Sequence, residues 1–242
     1  MTPEGSAAPW GYVMTVVWVV TAFVISAVAA TGCLYLFFGS NPISVIAKTD
    51  DGVVISVVTI SSNIVQIAVL ALVIQFRHWP LEKYLALKLP RRSVMIRALL
   101  LMIALLVVLE SATALFGSNN VPPFQVNSYR TAKEAGWLPA LFAAVVVFAP
   151  LTEEIVFRGF LYRGFVRRPG HEPFAIVIIS LVWTAAHIQY DFWGMAQIFV
   201  MGILLGALRW WSGSTSLTIS LHVLANFLAT LETVVYVEWL SK

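Results

Sequence analysis

Long apolar runs separated by short polar punctuation dominate the pattern of this chain. Seven runs stand out: 10–38, 53–76, 94–116, 137–165, 173–189, 192–211 and 214–231. A helix needs about 20 apolar residues to cross the hydrocarbon core of a bilayer, so each run is predicted as a membrane span. The punctuation is turn-rich or charged: Gly39-Ser40-Asn41-Pro42, the basic stretch 77–92, the polar 117–136, Arg167-Arg168-Pro169-Gly170, Tyr190-Asp191 and Ser212-Gly213. The tail 232–242 is expected to form part of an eighth element or to lie at the interface through Trp239. The predicted fold class is all-α, a polytopic transmembrane helical bundle of seven to eight helices. It is expected to form a single integral membrane domain over 1–242.

Composition agrees. The chain is 60% hydrophobic and 11% charged, with mean hydropathy +0.86, whereas a soluble domain carries about 25% charged residues. The lipid bilayer is thus an expected partner. The net charge of +3 does not indicate nucleic acid, because the basic residues cluster at span edges. The lone Cys33 cannot form an intrachain disulfide. Residues 1–9 lack Lys and Arg, and the run Trp10–Phe38 is far longer than the apolar core of a signal peptide, so it reads as a retained first span. Trp10, Trp79, Trp137, Trp210, Trp211 and Trp239 read mostly as interface markers.

Charge asymmetry gives an orientation. With the N-terminus in the cytoplasm, eleven basic residues fall inside: Arg77, Lys83, Lys88, Arg91, Arg92, Arg97, Arg158, Arg163, Arg167, Arg168 and Arg209. Four remain outside: Lys48, Arg130, Lys133 and Lys242. The compact length and short loops suggest a prokaryotic plasma membrane.

Several ionisable residues interrupt the apolar runs, and in lipid such groups are costly and read as functional. Glu153, Glu154 and Arg158 lie in the fourth run, His187 ends the fifth, and His222 and Asn226 lie in the seventh. Glu154 and Arg158 are four residues apart and can pair on one helix face. Glu153 is rotated about 100° from Glu154, so the two carboxylates need not share a job. Pro150 should kink the helix beside them by removing a donor and clashing with the carbonyl of Val146. Trp183 with His187, and His222 with Asn226, are also four apart. At about 1.5 Å per residue, Glu153, His187 and His222 lie roughly 21, 20 and 14 Å from the basic ends of their helices. Interhelical hydrogen bonding is the plain alternative for any one of these groups; matching depth on three spans favours a common site. Ser61, Ser62, Asn63 and Gln66 read as packing groups, Glu110 as reaching the interface, and His78 and His171 as solvated.

The run Ala149-Pro150-Leu151-Thr152-Glu153-Glu154-Ile155-Val156-Phe157-Arg158-Gly159 resembles the EExxxR motif of the CPBP family. These are the CAAX-protease and bacteriocin-processing intramembrane proteases, also called Abi, which include the type II CAAX prenyl endopeptidases. His222-Val223-Leu224-Ala225-Asn226 is similar to the family's HxxxN motif. Trp183-Thr184-Ala185-Ala186-His187 stands where the family has FxxxH; the retained aromatic is expected to affect pocket shape rather than chemistry. The resemblance covers about 153–226, and the motif-bearing catalytic helices would be 137–231.

The resemblance implies about eight helices, a site opening toward the cytosol, and endopeptidase action on a membrane-tethered or lipidated substrate near its C-terminus. By position, Glu153 and His187 would activate water, His222 and Asn226 would stabilise the oxyanion, and Glu154 and Arg158 would support the site. The residues suit those roles physically, since a buried carboxylate moves toward general-base range and a dry oxyanion donor contributes about 2.7–4 kcal/mol. Glu153, His187 and His222 could also ligate Zn2+ with an open position, but the HExxH pattern is absent and a metal-free mechanism is preferred. Two alternatives from other classes remain: a proton-coupled membrane transporter using the carboxylates and histidines as a relay, which lacks internal repeats in its favour, and a non-catalytic membrane scaffold or immunity protein. The substrate, its prenylation and the oligomeric state are open.

Overall fold

The computed structural model describes residues 10–39, 50–116 and 121–241. Residues 1–9, Lys48, Lys242 and most of the punctuation after Phe38 lie outside them. The chain is all-helical, with no strand among the described residues. In chain order the helices are α1 (Tyr12–Phe38), α2 (Gly52–Phe76), α3 (Leu81–Tyr84), α4 (Arg92–Phe116), α5 (Pro123–Glu134), α6 (Leu138–Phe165), α7 (Glu172–Ala185), α8 (Phe192–Ser212) and α9 (Thr215–Leu240).

Six of these, α1, α2, α4, α6, α8 and α9, are long and apolar enough to cross a membrane, and α7 is a shorter apolar helix. Together they are the seven predicted runs. The tail forms no eighth crossing, because residues 236–240 lengthen α9 instead.

Local chemistry sets the ends. The Asp51 carboxylate accepts from the backbone N–H groups of Val53 and Val54 at the start of α2. Asp191 accepts from Gly194 at the start of α8, and the Ser214 hydroxyl from Leu217 at the start of α9. Each satisfies an orphan donor of a first turn. Gly39 and Gly213 end α1 and α8 at φ 58° and 63°, where only glycine is unstrained.

Burial sorts the helices. α1 packs on α2 and on the end of α6, and buries one row, Thr15, Val19, Ala22, Ser26, Ala30 and Leu34, with Thr15 against Gly164. Much of the remaining α1 surface, and much of α4, exposes Val, Leu, Ile and Phe, as a lipid-facing surface does. α6 is the central helix. All eight residues from Glu154 to Leu161 are buried, and a helix buried all round belongs to the core.

Four departures from the sequence pattern matter. The polar stretch 117–136 contains α5, whose buried face, Ser128, Tyr129 and Ala132, docks on the start of α2. There Asn127 and Ser128 donate to the Asp50 carbonyl, and the Thr131 hydroxyl accepts from Gly52 N–H. The fifth run ends as helix at Ala185 rather than continuing to 189. Arg209, counted as an inside cation, is buried, and Nε donates to the Arg158 carbonyl and to Thr215 Oγ1. Trp10 is likewise a core residue, packed on Tyr84 and Phe160.

Candidate active site

The site begins with a defect in α6. π-Helical turns occupy Ala143–Phe148 and Glu154–Leu161, on either side of Pro150. In a π turn the N–H of residue i bonds to the carbonyl of residue i−5. Ala149 makes such a bond to Ala144. The next donor in that register would be residue 150, and proline has none. The Val145 carbonyl, rather than that of Val146, therefore receives an outside donor: Asn226 Nδ2 from α9, at 2.8 Å.

Beyond the defect, adjacent carboxylates diverge as their rotation predicts. Glu154 is fully buried and its Oε1 accepts from Arg158 Nη1 and from His222 Nδ1, both at 2.9 Å. Arg158 also donates through Nη2 to the Gly202 carbonyl on α8 at 3.2 Å. Glu153 is on the open side, with 26% of its side chain exposed. Its Oε2 lies 3.9 Å from His187 Nε2 and 4.0 Å from His222 Nε2, distances that a single water molecule can bridge.

The hydrogen-bond partners assign the imidazole tautomers. His187 sits in the turn after α7, and its Nδ1 is 2.7 Å from the Trp183 carbonyl. A carbonyl only accepts, so Nδ1 carries the proton and a neutral ring offers Nε2 as acceptor. The carboxylate partner of His222 Nδ1 imposes the same assignment. Both Nε2 atoms thus face the Glu153 carboxylate, while both Nδ1–H groups are anchored behind them.

Five of the six expected site residues, Glu153, Glu154, Arg158, His187 and His222, come together in this way. Asn226 stands four residues after His222 on α9, and its Nδ2 is engaged by the Val145 carbonyl rather than by any of these five. It also lines a cleft of about 1440 Å3 between α4, α5, α8 and α9. Its lining does not include Glu153, His187 or His222 but does include Asp50, Arg130, Asp191 and Ser241. These belong to the end of the bundle opposite the basic loops 77–92 and 166–171. On the charge-bias orientation these four residues fall on the extracytoplasmic side, opposite to the cytosolic opening that the resemblance implies.

Two residues enter the site without having been expected. Trp183 Nε1 donates to Glu153 Oε2 at 2.6 Å, so the aromatic of the middle motif affects more than pocket shape. Tyr190 packs its ring 6.1 Å from that of His187 and accepts from Gln125 Nε2 at 3.1 Å. Burial pushes its hydroxyl above the ordinary phenol range, which keeps it protonated at neutral pH. Glu110 lines the cleft wall.

The chemistry of the donor set only partly suits a metal. Imidazoles anchored by carboxylate and carbonyl through Nδ1 are what ligating histidines commonly show. The spacing is unsuitable, however: tetrahedral bonds of 2.0–2.1 Å bring donor atoms to about 3.3 Å from one another, against 3.9 and 4.0 Å for the two nitrogens from Glu153. Among the described residues no group of three His, Cys, Asp or Glu is placed to hold a metal ion. The arrangement does not fit zinc as it stands.

Residues 135–228 match the family model described as type II CAAX prenyl endopeptidase Rce1-like. This segment is similar to that family. The match runs from the start of α6 into α9 and includes all three motifs. With the six apolar helices, it supports an integral membrane protein. An Escherichia coli protein described as an uncharacterized 24.3 kDa protein is 34% identical over 89 residues, 36% of this chain. The matched part spans 41% of that relative's own length. No solved structure matches the chain.

Proposed function

We propose that this protein is an intramembrane endopeptidase that hydrolyses a peptide bond of a membrane-tethered or lipidated substrate, with helices 137–231 carrying the chemistry. The observation that carries the proposal is the approach of Glu153 Oε2 to two Nε2 atoms, at 3.9 and 4.0 Å, with both opposite Nδ1–H groups anchored. A water held there donates one hydrogen to Glu153 and the other to His187 Nε2. As its oxygen attacks the scissile carbonyl carbon, one proton passes to Glu153 and the carbonyl oxygen takes the negative charge. The second N–H of Asn226 Nδ2 is a donor for that oxyanion. His222 donates from Nε2 in its doubly protonated form, in which Nδ1–H stays on Glu154. Glu153 then delivers its proton to the amide nitrogen, the C–N bond breaks, and a carboxylic acid and an amine result. Glu154 and Arg158 hold His222 in place.

General acid–base groups contribute about 10²–10⁴-fold, and an oxyanion donor about 10²–10³-fold. The test is cleavage of a panel of lipidated and membrane-tethered C-terminal peptides in detergent or liposomes, read by mass spectrometry. Wild type is compared with Glu153→Gln, His187→Ala and His222→Ala. Loss in all three, with folding intact, supports the assignment. Cleavage that survives all three refutes it.

A further inference from the structure

Building on the endopeptidase reading of Glu153, we propose that Trp183 is a positioning residue whose indole N–H holds the Glu153 carboxylate in register with both imidazoles. Glutamate χ3 is a broad sp³–sp² torsion, so a partly exposed carboxylate needs an outside partner to fix its oxygens. The 2.6 Å bond from Trp183 Nε1 to Oε2 supplies that partner from a side chain only 1% exposed. A phenylalanine at this position has no such donor.

The indole is itself held on several sides. Its ring meets His187 edge-on at 5.1 Å and His222 at 5.4 Å, and the Arg158 guanidinium lies 4.4 Å over its face. The Trp183 carbonyl anchors His187 Nδ1. Gly202 leaves room for the ring, since a Cβ there would lie 3.0 Å from Trp183 Cε3. One residue therefore touches Glu153, Arg158, His187 and His222. Nothing in this set needs Trp183 to touch substrate, so its loss should lower kcat and spare KM.

The experiment uses the full chain, 15N-labelled at its nine tryptophans, in detergent micelles. Trp183→Phe removes one indole resonance and so assigns it; Trp183→Tyr serves the same purpose if the phenylalanine variant does not fold. The expected Trp183 indole proton is the most downfield of the nine, because its acceptor is charged and close. It should move upfield in Glu153→Gln and further in Glu153→Ala, with the other eight unmoved. A resonance indifferent to both changes overturns the proposal. In the cleavage assay Trp183→Phe should lower kcat about 10–100-fold, the size of effect expected from misplacing a reacting group by about 1 Å, at unchanged KM. Unchanged kcat also overturns the proposal. Failure of the wild type to cleave any peptide would count against the endopeptidase reading alone, and the spectroscopic result would stand without it.

Discussion

Removing one charge of the Glu154–Arg158 pair should cost far more than removing both. The two groups are 0% and 2% exposed at the side chain and 2.9 Å apart. At an effective dielectric of about 20 their attraction is of order 6 kcal/mol, and the desolvation of two ions cancels much of it. The pair as a whole therefore adds little net stability, but each partner is needed once the other is present. Glu154→Gln strands a buried guanidinium, and Arg158→Met strands a buried carboxylate. Each single change should destabilise by about 3–5 kcal/mol. For a chain of this size that is about 6–20 °C in melting temperature.

The double variant Glu154→Gln/Arg158→Met should recover to within about 1–2 kcal/mol of wild type. Methionine is flexible enough to fill the space of the arginine stem, and the Gln carbonyl can still accept from His222 Nδ1. Thermal unfolding of the four proteins in one detergent gives the cycle. Cleavage should not recover in the double variant, because no carboxylate then accepts from His222 Nδ1. Additive losses, with the double variant the least stable of the four, would refute the argument.

Gly202→Ala should destabilise by about 1–3 kcal/mol through overpacking, since the new methyl would lie 3.0 Å from Trp183 and 3.1 Å from Ser180; melting and a shifted Trp183 indole resonance report it. Asn226→Ala should cost about 1–3 kcal/mol by orphaning the Val145 carbonyl. Adding Pro150→Ala, which returns the missing N–H, should reduce that penalty, and an equal penalty in both backgrounds would count against the π-register account. A chelator should leave cleavage unchanged, and elemental analysis of active protein should find less than stoichiometric zinc; one zinc per chain would overturn the metal-free preference.

How far the sequence could be read follows from what each signal measures. Apolar run length located all seven long segments, because lipid and core both demand apolar side chains. It could not separate them, and so α6, buried over Glu154–Leu161, looked no different from lipid-exposed α1. Helical spacing predicted the Glu154–Arg158 pair and the divergence of Glu153, both of which are local. It could not show that Asn226 answers a carbonyl freed by Pro150, since that bond joins residues 81 apart in the chain. α5 was missed because its buried face is made of Ser, Tyr and Ala rather than aliphatic residues. Trp183 was visible only as a departure from a motif; its donor acquires meaning once Glu153 is known to lie 2.6 Å away.

The direction of substrate entry is where charge and cavity geometry pull apart. Burial of Arg158 and Arg209 takes two from the eleven cations of the charge-bias expectation, and the remaining nine against four keep that expectation, with loops 77–92 and 166–171 on the cytoplasmic side. On that expectation Arg130 and Asp191, which line the cleft, face the other side. A cytosolic C-terminal tail could not reach Asn226 from that side without crossing the bundle. Single-cysteine labelling in a Cys33→Ser background separates the cases. From the charge bias, Arg130→Cys should label from outside and Lys88→Cys only after permeabilisation. That outcome would require substrates that present the scissile bond from the extracytoplasmic side, such as exported peptides held by a membrane anchor. The reverse outcome would overturn the charge-based orientation and place Arg130 and the lining of the cleft on the cytosolic side.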